Sequence, residues 1–415
     1  MTGVVTAYTY DKGRRLTNAN AVAGTGGVSY TYGYDNRGNL TRSDSSTSTD
    51  VWYGHNSGNQ PCFRYTSTTA PTTGNGTAGY GCTAPATNTS TAYNFDASGS
   101  QKKSPNLTDL AYNASDQTTS VTPAAGSGSP ASFSYASDSQ TELQTAPDVT
   151  LRNMLLGVGS RQRASDGSTV YFVRDAQGQL ISMLTYDSSN TVRSTHYYAF
   201  DGLANVVGLV SSDGTEAAKY RYDPYGNSTQ ATAVPAGAPL PDNPYRYKSE
   251  YLDANTGLYH MGLRYYDPRQ GRWTQQDILE GIGDPNNANR YGAFGDDPIN
   301  NTDPTGAYYQ SLTLNACLEA CGTASLNFSW ETGLSFTYGA GGGPDAGISG
   351  ALTGNSGQPT NGPSAVASCQ VATPYGGSVA NYSTDGETNS GGIGPAIGGQ
   401  AGCFAGVTNT VGGAD

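Results

Sequence analysis

Along much of the chain, aromatic residues alternate with small or polar ones, then give way to an acidic corner, a glycine and an apolar residue. The pattern is clearest at Tyr8-Thr-Tyr-Asp11, followed by Gly13 and Leu16, and at Tyr32-Gly-Tyr-Asp35, followed by Gly38 and Leu40. It returns at Tyr171 to Leu180, where Val173 and Arg174 alter the lead, at Tyr198-Ala-Phe-Asp201 and at Tyr220-Arg-Tyr-Asp223. Weaker copies lie at Tyr93 to Gly99, Leu110 to Asp116 and Phe133 to Asp138. A period of two puts both rings of Tyr-x-Tyr on one face of a strand. Asp-x-x-Gly is turn chemistry: the carboxylate bonds nearby backbone N–H groups and the glycine accepts a positive φ. Each unit is therefore predicted as a β-hairpin with an aromatic face. One hairpin cannot bury that face alone, so recurrence every ~20 residues predicts stacked neighbours. The Ser/Thr/Gly-rich stretches Ser43 to Thr49 and Thr66 to Thr77 are predicted as long surface loops.

Composition agrees with an all-β class. The 415 residues include 30 Tyr, 56 Gly and 21 Pro, with 13% charged residues, so half-polar aromatics build the core and glycines the reversals. A net charge of -12 and the lack of any Lys/Arg run argue against nucleic-acid binding. No stretch approaches the ~20 apolar residues of a transmembrane helix. The N-terminus has no basic start and no apolar signal core. Met1 leads almost directly into the unit at Tyr8, so the chain is read as the C-terminal part of something larger or as a truncated relative.

Between Tyr220 and Gly306 stands an ordered series of phrases: Tyr220-Arg-Tyr-Asp-Pro-Tyr-Gly226, Asn243-Pro-Tyr-Arg-Tyr247, Thr256-Gly-Leu-Tyr259, Arg264-Tyr-Tyr-Asp-Pro268, Gly271-Arg-Trp273, Asp297-Pro298 and Asp303-Pro-Thr-Gly306. Beyond Gly306 the chain has no Lys, Arg or His and is rich in Gly, Ser, Thr, Ala and Asn. The units resemble YD repeats, and residues 220–306 resemble the Rhs repeat-associated core of bacterial polymorphic toxins; toxin-complex C components and teneurins carry the same repeat. The resemblance covers residues 1 to 306. It implies a YD-repeat β-hairpin shell over 1–235, forming a partial spiral wall, an Rhs core or plug over 243–306, and a small Gly-rich β-domain over 307–415 as enclosed cargo.

Relatives of this type cut themselves at the end of the core, after Asp-Pro-x-Gly-Leu, with aspartate chemistry supported by an arginine. The matching residues are Asp303, with Gly306 and Ala307 as the expected scissile region, Asp277, and Arg264 thirteen residues before it. Ala307 stands where the pattern has Leu, and Ile278 where it has Pro. Two carboxylates held together push one pKa up, giving an acid and a base that can activate water, and an arginine holds its partner ionised.

Six cysteines, Cys62, Cys82, Cys317, Cys321, Cys369 and Cys403, permit one bridge across the first insertion and two in the tail; free buried thiols are the other reading. Bridges would suit a secreted or cell-surface location. His55, His196 and His260 have no metal spacing, His260 is read as a packing residue, and neither a metal nor a cofactor is expected. The run Gly339-Ala-Gly-Gly-Gly343 lacks the Lys and Ser/Thr of a phosphate loop. Without imidazole or basic side chains, the tail cannot supply the groups of a His-dependent nuclease, and it carries no zinc-deaminase signature. Its segments Ser325 to Trp330, Leu334 to Tyr338 and Cys369 to Thr373 alternate as strands. Two functions stand side by side. One is a toxin-type shell carrying its own tip as cargo, with an immunity protein as partner; the other is a surface module whose aromatic rings bind glycan or cell-envelope material.

Overall fold

The computed structural model describes residues 6–22, 27–71, 81–136 without 86 and 88, 140, 142–154, 157–175, 178–277, 289–303 and 306, and beyond these the backbone of eight strands between 309 and 411. It divides into two units, the first taking 1–276 and 291–301, the second 277–290 and 302–415. Among the described residues the first unit is built from strands and two short 3-10 turns, as the alternation predicts.

Successive strands pair with their chain neighbours. A seven-stranded sheet runs from Thr6–Tyr10 to Thr89–Ser90, a three-stranded one from Leu107–Tyr112 to Ala131–Ser132, and a ten-stranded one from Ser134–Tyr135 to Ser228–Ala233. Asn94–Phe95 pairs with Gln101–Lys103. The segment read as the plug, 243–306, adds Tyr251–Asp253, Leu258–Met261, Arg264–Asp267 and Arg272–Trp273, in that order.

A shared corner makes these hairpins. At Asp35, the backbone N–H donates to the Asn39 carbonyl (3.0 Å) and Gly38 donates back to the Asp35 carbonyl (3.3 Å). The Asp35 carboxylate accepts from the N–H groups of Arg37 (2.8 Å) and Asn39 (2.9 Å), and from the Asn39 side-chain amide (2.9 Å). Asp201 with Asn205 and Asp223 with Asn227 repeat this closure. Asn56 with Gln60 and Asn113 with Gln117 perform it with two amides, and Asp11 with Arg15 performs it with an ion pair. The sheet then resumes with the residue before the corner facing the fifth after it: Tyr10 faces Leu16, Tyr34 faces Leu40 and Phe200 faces Val206.

The third residue after the corner Asp or Asn sits in the left-handed region. It is Gly38, Gly99, Gly178 or Gly226 in some units, but Arg14, Asn59, Asp116, Asn190 or Ala204 in others. In the first unit Gly13, read as the turn glycine, is not that residue; Arg14 is (φ 59°). Gly226 has a second reason to be glycine, because a Cβ there would lie 2.5 Å from the Tyr247 ring.

Alternation sends one ring face inward. Leu107, Val121, Phe133, Val170, Phe172, Met183, Leu209 and Tyr220 form one buried cluster with Tyr245, Tyr251 and Tyr265 of the plug. Several tyrosine hydroxyls reach acceptors as they are buried, while those of Tyr32, Tyr93 and Tyr220 have none among the described residues. Tyr266 donates to the Tyr225 carbonyl (2.7 Å), Tyr247 to Pro224 (2.8 Å), Tyr53 to Arg269 (3.2 Å) and Tyr291 to Gly99 (2.6 Å). A buried hydroxyl left without a partner costs about 1–3 kcal/mol, so these bonds let tyrosine serve as a core residue.

Two insertions were expected as long loops. Ser43 to Thr49 is not one: Ser43–Ser45 belong to the strand Leu40–Ser45, and a tight corner closed by Ser48 N–H on the Ser45 carbonyl (3.1 Å) follows. Arg42 explains the order, stacking on Trp52 (5.0 Å) and pairing with Asp50 (2.8 Å). In Thr66 to Thr77, residues 67–71 run without strand and 72–80 lie outside the described residues. Cys62 and Cys82 are bonded across this insertion, Cα atoms 5.5 Å apart. A Cβ at Gly54 would lie 2.1 Å from both Phe63 and the Gly81 carbonyl, so the bridged segment lies directly on the strand.

In the second unit eight strands pair in a closed ring: Tyr309–Leu318, Ala320–Ser329, Gly333–Gly342, Gln400–Val411, Gly362–Ala372, Gly377–Thr384, Asn389–Gly398 and Gly347–Ser356, which returns to Tyr309–Leu318. The three tail segments read as strands fall within strands, except that Trp330 and Thr373 lie outside the described residues.

The corner geometry yields a stability test. Ala204 holds φ 59°, which glycine adopts without the ~1 kcal/mol penalty of a side chain, so Ala204→Gly raises the free energy of urea unfolding by about that amount. Asn205→Ala removes partners of both the Asp201 carboxylate and the Lys248 N–H and lowers it by about 1–3 kcal/mol.

Candidate functional site

The core phrases converge on a second cluster formed by Tyr247, Tyr259, Met261, Tyr266, Trp273, Ala293 and Phe294. Arg264 begins the strand Arg264–Asp267 and is 4% exposed, its guanidinium 4.2 Å from the centre of the Trp273 ring. Stacking on an indole lets a cation be buried while its charge stays available to an anion. Trp273 is held in turn by its N–H on the Tyr291 carbonyl (3.1 Å), and Thr274 caps the Tyr265 carbonyl with its hydroxyl (3.0 Å).

After Trp273 the chain is anchored by side-chain amides. Gln275 accepts from Gln140 (2.9 Å) and donates to the Asp116 carbonyl (2.5 Å), while Gln276 donates to the Tyr291 hydroxyl (3.1 Å). Asp277 is 7% exposed. Its N–H donates to the Arg290 carbonyl (2.8 Å), and its own carbonyl accepts Arg290 Nε (2.9 Å) and Nη2. Arg290 therefore fixes the backbone that carries the Asp277 carboxyl. Asp303 is half-buried, and its carbonyl accepts the N–H of Gly306 (3.3 Å), which holds φ 62°. Ala307 and Ile278 lie outside the described residues. Arg264 belongs to the first unit and Asp277 and Asp303 to the second, so each is placed by its own surroundings.

Two further buried residues, Lys248 and Asp296, shape the site. Lys248 is 6% exposed and donates from Nζ to the carbonyls of Pro298 (2.8 Å) and Asn301 (2.7 Å). It also lies over the Phe294 ring (4.9 Å) and, through its own N–H, on Asn205 (2.8 Å). Lys248 thus joins the corner at Asn205, through its backbone N–H, to the segment 298–301, through its ammonium. Asp296 follows Phe294 and Gly295, all three at φ near 60°. It is 5% exposed, and burial pushes its carboxyl up to about 8 against the pull of Arg15 and Arg272. A lysine among aromatics and a doubled Asp before Pro298 mark both positions in the sequence.

His260 is a packing residue. It faces Tyr251 and Tyr265 across the sheet, its Nε2 shares a 2.6 Å hydrogen bond with the Gln140 carbonyl, and burial lowers its pKa to about 4. Among the described residues no group of His, Cys, Asp and Glu has metal-site geometry, and no helix is long and apolar enough to cross a membrane.

Comparison with known proteins decides the family. The Teneurin YD-shell pattern matches residues 4–299. This chain belongs to the Teneurin YD-shell family. The tRNA3(Ser)-specific nuclease WapA of Bacillus spizizenii is 32% identical over 158 residues, which are 36% of this chain and 7% of WapA. Toxin subunit YenC2 of Yersinia entomophaga is 30% identical over 167 residues, 39% of this chain and 16% of YenC2. The crystal structure of TcdB2-TccC3-TEV superposes with a TM-score of 0.52 at 20% identity, covering 72% of this chain and 15% of that one, which shows a shared fold. The chain thus spans a small fraction of these relatives, and the YD shell is of the kind found in toxin components.

The buried ionisable groups set opposite pH trends. Asp296, raised, contributes stability that is present below pH ~4 and lost as pH rises through about 8; His260, lowered, contributes stability present above pH ~6.5 and lost as pH falls through about 4. Asp296→Asn flattens the upper trend: in urea unfolding between pH 4 and 9, the variant gains on the parent as pH rises and matches it near pH 4.

Proposed function

We propose that the chain is the shell and plug of a toxin-type protein that carries its C-terminal barrel as an effector and frees it by cutting itself at the end of the core. The observation that carries this reading is the match that ends at residue 299, with the core phrases woven into the wall and an unrelated closed barrel beyond them. In this reading Asp277 and Asp303 act as a carboxyl pair with Arg264 as the cation that keeps one of them ionised. The ionised carboxylate takes a proton from water as the water adds to the scissile carbonyl, that of Gly306 or Ala307. The protonated one then donates to the leaving nitrogen, giving a new carboxyl and a new amine. The burial of Arg264 and Asp277 supports such roles, because a dry site strengthens each charge interaction.

Secretion or display at the cell surface goes with this reading. The Cys62–Cys82 bridge supports it, since disulfides persist in oxidising compartments. One curated relative, 34% identical over 127 residues, is the salivary gland surface protein 1 of Aedes aegypti. An immunity partner that neutralises the barrel belongs to the same proposal.

A second reading, glycan binding, has one observation in its favour. Tyr171 and Tyr197 stand 45% and 47% exposed on the ten-stranded sheet, with Val173 and Val192 beside them. Most wall tyrosines are instead buried or half-buried, which favours rings as core.

Mass spectrometry of the purified chain tests the cut. A fragment ending near Gly306 or Ala307 is expected, Asp277→Asn slows its appearance at least ~100-fold, and Arg264→Ala slows it as well. A parent chain that stays intact over days contradicts the proposal. If the chain is intact and Tyr171→Ala abolishes retention on peptidoglycan, the second reading replaces it.

A further inference from the structure

The backbone register of the barrel brings its four cysteines into two facing pairs. Cys317 on Tyr309–Leu318 is opposite Cys321 on Ala320–Ser329, and Cys369 on Gly362–Ala372 is opposite Cys403 on Gln400–Val411. We propose that the barrel is stapled by two disulfides, Cys317–Cys321 and Cys369–Cys403, formed between directly opposed residues of adjacent antiparallel strands.

Distances separate this pairing from the alternatives. Opposed residues of an antiparallel pair have Cα atoms about 4.5–5.5 Å apart, inside the roughly 4.4–6.8 Å that a disulfide spans. Four cysteines allow three complete pairings. The other two join Cys317 or Cys321 to Cys369 or Cys403. The nearest of those strands, Ala320–Ser329 and Gln400–Val411, are separated by Gly333–Gly342. Two strand spacings are about 9.6 Å, beyond the ~7 Å limit for a bridge without backbone movement. The same separation works against a single tetrahedral four-cysteine metal site, in which every sulfur lies ~2.3 Å from one ion.

The Cys62–Cys82 bridge in the first unit is independent support that the chain matures where thiols are oxidised. Each new bridge forms as two thiols lose two protons and two electrons to a disulfide-bearing oxidant of the thiol-exchange class, which leaves as a dithiol. The two staples differ in what they constrain. Cys317–Cys321 locks one hairpin end. Cys369–Cys403 ties strands that are not chain neighbours and closes a loop of about 35 residues, the larger constraint on the unfolded chain of the two. Ring closure of this barrel depends on such non-sequential pairs, so reduction is expected to open it at Gly362–Ala372 and Gln400–Val411.

The test is peptide mapping of the full, non-reduced chain after blocking free thiols with iodoacetamide. A glutamate-specific protease separates Cys317 from Cys321 by cutting after Glu319, and pepsin divides the remainder, which has no tryptic sites. Linked peptides joining 317 to 321 and 369 to 403 are expected, with no alkylation at these four positions. In Cys403→Ser, one alkylated thiol appears, at Cys369, while Cys317–Cys321 stays linked. Links between the two pairs, alkylation of all four cysteines in the parent, or zinc bound to them in stoichiometric amount would overturn the assignment.

Discussion

A strand that carries tyrosines on alternate positions can pack one side of each ring against its hairpin partner, but the other side and the hydroxyl still need a dry surface with acceptors in it. In the first unit the plug and the last wall hairpin provide that surface. Tyr225 sits edge-on to Tyr32 (5.0 Å) and shares a hydrogen bond with the Tyr34 hydroxyl (2.6 Å), residues nearly two hundred positions away. Tyr247 touches Tyr222 of the wall and Tyr259, Tyr266 and Phe294 of the plug. Wall and plug are therefore not separable layers. Each completes the burial of the other's rings, and the hydroxyls of Tyr53, Tyr247, Tyr266 and Tyr291, bonded to backbone carbonyls at the corners, record where the two must meet.

The corners make that meeting possible because they hold their hairpins to one register. A one-residue slip would move all the rings of a strand to the opposite face. The carboxylate or amide that begins each corner, the left-handed residue three places later and the closing side chain at the fourth place together prevent it. Asp223 shows the strength of this demand, since burial pushes its carboxyl up to about 6 even though it accepts from Tyr225 and from both the backbone and side chain of Asn227. Polar groups with this many partners can be buried without loss of specificity.

Much of this was legible. The aromatic alternation, the Asp corners and the change of composition after Gly306 identify the hairpins, the all-β class and the separate tail. What escaped were the corners without Asp. Asn56 with Gln60 and Asn113 with Gln117 close in the same way as Asp35 with Asn39, because an amide oxygen accepts the same two N–H groups; reading the fourth place after the corner would have found them. The left-handed residue was legible only where it is glycine, and Arg14 and Ala204 show that the corner imposes its geometry on other residues. Of the candidate site, Arg264 and Asp277 are visible as a spaced pair, but what Lys248 and Arg290 bind is not. Their work is done on backbone carbonyls of Pro298, Asn301 and Asp277, and a carbonyl has no letter in the sequence.

The most direct test of mutual burial asks whether wall and plug unfold together. Trp52 lies in the wall and Trp273 in the plug, both buried, so full-length variants retaining one of them, with the other and Trp330 changed to Phe, report on each part by fluorescence. Coincident urea transitions, with the same midpoint and slope, are the predicted result. Two separated transitions, with Trp52 released while Trp273 remains native or the reverse, would contradict the account.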